Sequence, residues 1–324
     1  MKRRKNILVA VPAGLALTLV LAACGGGNEA EADGEAAGGE SVSGEVVVDG
    51  SSTVQPLTAA AGELYAEQQP GVNVSVATSG TGGGFEKFCQ GQTDISNASR
   101  PIKDEEAALC EENGVEFTEL RVATDALTVV VSTENDFAQC LTIDELTTMW
   151  GPEAEGKVTR WNQVNPEFPD EPLELYGPGT DSGTFDYFTD EVNGEEGASR
   201  SDYNASEDDN VLVQGVSGSA NALGYFGYTY YEENSDALKA VEIDSGDGCV
   251  PPSAETAGDG SYTPLARPLF IYVSNTSYAD KEQVAAFVDY YVENDGSIAE
   301  AAQYIPLNDE QKAELEDSLA ELQG

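Results

Sequence analysis

Three short runs rich in Gly, Ser and Thr each stand just ahead of an expected helix start. They are Gly50-Ser51-Ser52-Thr53-Val54-Gln55-Pro56, Ser79-Gly80-Thr81-Gly82-Gly83-Gly84 and Gly177-Pro178-Gly179-Thr180-Asp181-Ser182-Gly183-Thr184. A helix start carries unpaired backbone N–H groups and the positive end of the helix dipole. Glycines let a ligand approach that backbone, and hydroxyls add donors, so three such turns meeting at one point would form an anion pocket from neutral groups. Each run alone reads as a helix cap, with Ser52, Thr53, Thr81 and Ser182 as the capping residues. Three together, two of them at expected strand ends, favour a ligand site. Arg100, in Ser99-Arg100-Pro101 after another short strand, offers a guanidinium fork that suits an oxyanion. Its alternative is a surface ion pair with one of many carboxylates. Arg200 and Arg267 are further candidates on the same ground.

The chain has no histidine. A Ser-His-Asp triad and a histidine-based metal site are thereby removed. Neither a G-x-S-x-G elbow nor a G-x-x-x-x-G-K-[ST] loop is present. The stretch from Asp202 resembles a calcium loop, but Glu207 stands where that loop needs glycine and Val213 where it needs glutamate. No metal and no cofactor are expected. Oxyanion binding without chemistry is the expected task; a secreted phosphatase using Ser52 or Ser182 would lack a histidine base and an evident metal cluster, and a purely adhesive surface lipoprotein is the further alternative, which a cleft without a bound anion would favour.

Those turns need strands and helices to hold them. Residues 45–49 read as a buried strand, 56–69 as a helix stopped by Pro70-Gly71, and 72–76 as a second strand running into the triple glycine. A helix opening over 85–89 and a short strand over 93–98 complete a βαβαβ pattern, the mark of a parallel sheet. Ligands of such sheets sit at the C-terminal strand ends, where the first two turns fall. Long apolar strands are expected over 118–132 and 265–274, and helices over 182–192, 280–294 and 308–322. The aromatic run from Leu223 to Tyr231 reads as a strand, with sugar stacking as its alternative. Strands bracketing an inserted region suggest two lobes joined by two crossings: residues 45–124 plus 268–324, and residues 125–267. The ligand would lie between them.

The N-terminus places Lys2, Arg3, Arg4 and Lys5 before an apolar stretch over residues 7–20, ending at Leu21-Ala22-Ala23-Cys24. This is a secretory signal over residues 1–23. The small residues before Cys24 resemble a bacterial lipobox, whose cysteine is lipidated. Residues 24–44 read as a tether with a reach of roughly 25 Å. Without the leader, eleven Lys and Arg face 59 Asp and Glu, a net charge of −48. Such a surface repels nucleic acid and anionic lipid. It also suits a salt-rich habitat, because at about 1 M salt the Debye length falls to about 3 Å. Cys89, Cys110, Cys140 and Cys249 allow two disulfides in three connectivities. Cys89–Cys110 and Cys140–Cys249 are favoured because each pair stays within one expected lobe; zinc is the rival, with no two cysteines close in sequence.

Five segments in this order resemble the substrate-binding lipoprotein of bacterial phosphate ABC importers: Asp49 to Thr53, Ser79 to Gly84, Asp94 to Pro101, Gly177 to Phe185, and Ala222-Leu223-Gly224-Tyr225. The resemblance implies an α/β, two-lobed periplasmic-binding fold of type II with two hinge crossings, closing on inorganic phosphate and delivering it to a membrane permease. It implies a monomer outside the cytoplasmic membrane, in a periplasm or cell wall. By position, Ser52, the Thr53 amide, Thr81, Ser182, Gly183 and Thr184 would bind phosphate. Much of the family has aspartate where this chain has Ser99, and arginine where it has Pro178. Arg100 would then supply the guanidinium and Asp181 the acceptor for the proton of hydrogen phosphate. Sulfate, arsenate or molybdate are the alternative ligands.

Overall fold

The computed structural model describes residues 42–180 and 182–324. The expected leader, Cys24, most of the tether and Asp181 lie outside these residues. The described residues belong to one compact unit.

The chain opens with β1 (Gly44–Gly50), α1 (Gln55–Gln68), β2 (Val72–Thr78), α2 (Gly80–Cys89), β3 (Ile95–Ala98) and α3 (Asp104–Asn113). β1 pairs in parallel with both β2 and β3, as the alternation of strand and helix requires. β4 (Phe117–Ser132) follows as one unbroken strand. Then come β5 (Cys140–Thr142), α4 (Ile143–Trp150), β6 (Glu174–Gly177), α5 (Gly183–Asn193), β7 (Asn204–Ala205), α6 (Asp209–Ser217), β8 (Ala222–Gly227) and α7 (Tyr228–Glu233). β9 (Leu238–Ala240), β10 (Glu242–Asp244), β11 (Cys249–Val250) and α8 (Ala254–Gly258) lead to β12 (Ala266–Ser274). Four helices close the chain: α9 (Asn275–Asp280), α10 (Glu282–Glu293), α11 (Asp295–Ala301) and α12 (Asp309–Gln323).

The main sheet has the order β2-β1-β3-β12-β4-β8-β6-β7, with β9 also on β4. β4 serves both halves of it. Residues 117–126 pair with β12, and residues 127–131 pair with β8. Side chains on β12 alternate with the strand period of two. Leu269, Ile271 and Val273 enter a core with α1, α10, α11 and α12, while Phe270 and Tyr272 face Phe85 and Phe88 of α2. β4 repeats this further along: Leu127, Val129 and Val131 join Trp150, Trp161 and Tyr225, and Val130 joins Leu212, Val216 and Phe226. Both faces are covered, which is why these strands read as continuous apolar runs.

Three elements differ from expectation. α2 begins at Gly80 rather than Phe85, so the triple glycine lies inside the helix. The cause is close packing: a Cβ on Gly84 would stand 2.5 Å from the Gly50 Cα. The aromatic run is half strand and half helix. It leaves the sheet at Gly227, after which Tyr228 meets Tyr231 and Glu232 at helical spacing. The C-terminal region holds two further short helices, α9, capped by the Ser274 hydroxyl, and α11, whose Ile298 and Ala299 fill the first core. Cys89–Cys110 and Cys140–Cys249 are the disulfides.

Candidate anion-binding cleft

The first turn leaves β1 at Gly50 and is tied at once to its neighbour. Ser51 N–H donates to the Asn97 carbonyl at 2.9 Å, and the buried Thr58 hydroxyl donates to Asn97 Oδ1 at 2.8 Å. Asp49 joins the second turn to the first. Its Oδ1 accepts from Gly50 N–H at 2.8 Å, Ser79 N–H at 3.0 Å and the Ser79 hydroxyl at 2.8 Å, and its Oδ2 accepts from the Lys87 ammonium. Thr81 Oγ1 stands 3.1 Å from Ser99 Oγ and accepts from Ser99 N–H at 3.3 Å, which links the second turn to the end of β3. The ends of β1, β2 and β3 are thus fastened side by side.

Burial pushes the Asp49 carboxyl up, but hydrogen bonds from Lys87, Ser79 and the Gly50 N–H outweigh it and hold the group below the usual carboxylate range. A depressed carboxyl contributes stability that is full above its unfolded value of about 3.9 and is lost as pH falls through the lower folded value. Asp49→Asn is therefore expected to be less stable than the parent at neutral pH, and to lose less stability between about pH 5 and pH 2. Urea denaturation across that range measures the difference.

These turns line a cleft of about 520 Å³. Ser52, Thr53, Thr81, Ser99 and Arg100 border it from the first half of the sheet, and Gly183 borders it from α5. A Cβ on Gly183 would stand 3.2 Å from Thr53 Oγ1, so the third turn touches the first. Ser182 caps α5, its Oγ accepting from Thr184 N–H at 3.2 Å, so the cap reading holds there. Thr184 lines a neighbouring cavity of about 280 Å³ beside Asp125 and Tyr304. Asp181 lies outside the described residues. Ser52, Thr53 and Thr81 cap nothing: Val54 and Ser79 precede α1 and α2 without a side-chain cap, which leaves the turn hydroxyls to the cleft.

Arg100 lines the cleft and is also pinned. Its Nη1 and Nη2 donate to Glu106 at 2.8 and 2.7 Å, and Nη1 donates to the Pro101 carbonyl at 3.0 Å. The expected cleft residue and the expected ion pair are the same side chain. Arg200 is elsewhere, buried and spent on Asp202 and the carbonyls of Met149 and Val158. Arg267 proves to be the second cation of the cleft. Its Nη2 donates to Thr53 Oγ1 at 2.9 Å, and its Nε pairs with Asp125 Oδ2 at 3.3 Å. Its guanidinium carbon sits 3.5 Å from the ring centre of Tyr187. The sequence carried a signal for it: Arg267 and Asp125 each interrupt a long apolar strand, and they are partners in register.

Asp186, Asp190, Glu191 and Glu196 also line the cleft. Burial, reinforced by Glu196, pushes Asp186 up against the pull of Arg267. Burial, reinforced by Asp190, does the same to Glu191. Hydroxyls, helix-start residues and two guanidiniums thus share one cavity with four carboxyls, of which Asp186 and Glu191 resist ionisation. The arrangement can hold a small oxyanion. Of the cleft hydroxyls, Thr53 is held by Arg267, Thr81 and Ser99 by each other, Ser79 by Asp49 and Tyr187 by the Pro264 carbonyl.

The family model for the PBP superfamily domain matches residues 35–295. Protein SphX of Synechocystis is 51% identical over 265 residues, spanning 82% of this chain and 79% of that protein. Phosphate-binding protein PstS of Staphylococcus saprophyticus is 40% identical over 309 residues, spanning 95% of this chain and 92% of that protein. The crystal structure described as a possible phosphate binding protein from Planctomyces limnophilus superposes with a TM-score of 0.83 at 44% identity, covering 88% of this chain and all of that one. With the strand-end turns gathered at one cleft and likeness running along nearly its whole length, the chain belongs to the PBP superfamily, among the SphX and PstS proteins.

Proposed function

We propose that the cleft binds inorganic phosphate outside the cytoplasm and that the chain hands it to a membrane ABC permease. The observation that carries this reading is the convergence of Ser52, Thr53, Thr81, Ser99, Arg100 and Gly183, from turns far apart in sequence, on one cavity. The names of the PstS relatives support the ligand. Ser182 and Thr184 stand beside Gly183 and contribute donors when the lobes, residues 45–124 plus 268–324 and residues 125–267, draw together. Asp181 is the proposed acceptor for the proton of hydrogen phosphate. The protein binds without catalysis, as a monomer, and Cys24 carries the lipid that keeps the tethered domain at the outer face of the membrane.

A micromolar site needs about 8 kcal/mol net. Hydrogen bonds to a charged group contribute about 1.5–3 kcal/mol each, so a handful of these donors suffices after association costs. Calorimetry with phosphate against sulfate tests the reading: phosphate is expected to bind at micromolar affinity or better and sulfate at least tenfold more weakly. No phosphate binding would remove the reading; equal affinity would make it a general oxyanion site. Arg100→Ala is expected to weaken phosphate several-fold, and an unchanged affinity would take Arg100 out of the site. Salt screens the repulsive acidic surface while scarcely reaching a closed cleft. Phosphate affinity is therefore expected to hold or rise between about 0.15 and 1 M NaCl, and a steep fall would contradict that picture.

A further inference from the structure

Arg267 lies where the sheet changes hands. β12 pairs with β4 up to Ala266 and Ala126, and from Leu127 onward β4 pairs with β8 instead. At this point the side chain is gripped from three directions: by the Thr53 hydroxyl of the first turn, by Asp125 across the ladder and by the Tyr187 ring of α5. A guanidinium has five N–H donors. Two of Arg267's are used in these contacts, and among the described residues the other three have no bonded partner. The Tyr187 ring covers one face of the group, yet the side chain keeps 18% exposure and lines the cleft.

Arg100 differs in kind. Both of its Nη groups are committed to Glu106, with the Pro101 carbonyl as a further acceptor. Its charge is matched at 2.7 Å, whereas the 3.3 Å pair between Arg267 and Asp125 is the longest ion pair among the described residues. Asp125 also borders the neighbouring cavity, so it draws on Arg267 from the side away from the cleft. An anion sharing the cleft with Asp186, Asp190, Glu191 and Glu196 needs a cation there with N–H donors still to give.

We propose that Arg267 is a ligand-binding residue of the cleft, giving the oxyanion its counter-charge and its free N–H donors while Thr53 and Tyr187 hold the guanidinium in place. The proposal rests on the reading of the cleft as a phosphate site. Calorimetry with inorganic phosphate on the intact chain tests it, alongside the melting temperature with and without phosphate. Arg267→Gln alone strands a buried carboxylate, so the informative variant is the double change Arg267→Gln with Asp125→Asn, compared with Arg267→Lys. The double variant is expected to melt near the parent temperature without phosphate, to lose at least tenfold in phosphate affinity, and to lose most of the phosphate-induced rise in melting temperature. Arg267→Lys keeps the charge and is expected to recover part of that loss. A double variant within tenfold of the parent overturns the proposal, as does a loss that follows a fall in the unligated melting temperature and is not eased by lysine. A parent chain that ignores phosphate overturns the functional reading itself, and this assignment with it.

Discussion

Gly50→Ala is expected to lower the unfolding free energy by about 3–5 kcal/mol and to weaken phosphate binding at least tenfold. Gly50 has φ +141°, a conformation that a side chain rarely adopts, and a Cβ there would stand 2.1 Å from the Asn97 carbonyl oxygen. The obstacle is backbone, so no rotamer change relieves it. Strain of this kind costs about 1–3 kcal/mol and overpacking about as much again. The effect on binding follows from place. Gly50 ends β1 one residue before Ser51-Ser52, and Asn97 stands two residues before Ser99. Moving the two strand ends apart separates the first turn from the Thr81–Ser99 pair. Urea denaturation and phosphate calorimetry on the same preparation would show both losses; a variant with parent stability would contradict the close approach.

Replacing Cys140 and Cys249 together by serine is expected to cost about 2–5 kcal/mol, the larger of the two disulfide effects. The bond closes a loop of 109 residues, against 21 for Cys89–Cys110. Chain-entropy reasoning gives about 5 and about 3 kcal/mol for loops of these lengths, before any native-state relaxation. The structure adds a local reason. β5, β10 and β11 form a separate three-stranded sheet in the order β11-β10-β5, with no strand longer than three residues. Cys140 and Cys249 lie on its two outer strands, so the bond ties the whole small sheet together. Cys249 is exposed while Cys89 and Cys110 are buried, so mild reductant is expected to open Cys140–Cys249 first. Mass spectrometry of alkylated peptides after brief reduction would give the order.

The sequence disclosed the strand-end turns because each followed an alternating or continuous apolar strand and preceded a helix, a pattern that local spacing carries by itself. It disclosed the disulfide pairing because the bracketing strands already divided the cysteines. Gly84 was misread for the opposite reason. Glycine ahead of Phe85 looks like a loop, and only the approach of α2 to Gly50 in space explains why a helix accepts it. Arg100 was legible as a cleft residue, but its bond to Glu106 was not, since one carboxylate among 59 could not be singled out. Arg267 stood out in the sequence only as one of three candidate arginines, because its place in the cleft depends on a partner 142 positions away and on a ring from α5. Charged residues breaking the two longest apolar strands were its visible trace.

β4 runs without interruption from one half of the sheet into the other. Pulling either half loose would leave a torn, unpaired edge on the half that remained, with Leu120 and Val122 bared on one side of the tear or Val129 and Val131 on the other. The shared strand therefore acts as a backbone for cooperativity. Heating should melt the folded region in one transition rather than two, and a partner that tugs on one half should be felt by the other.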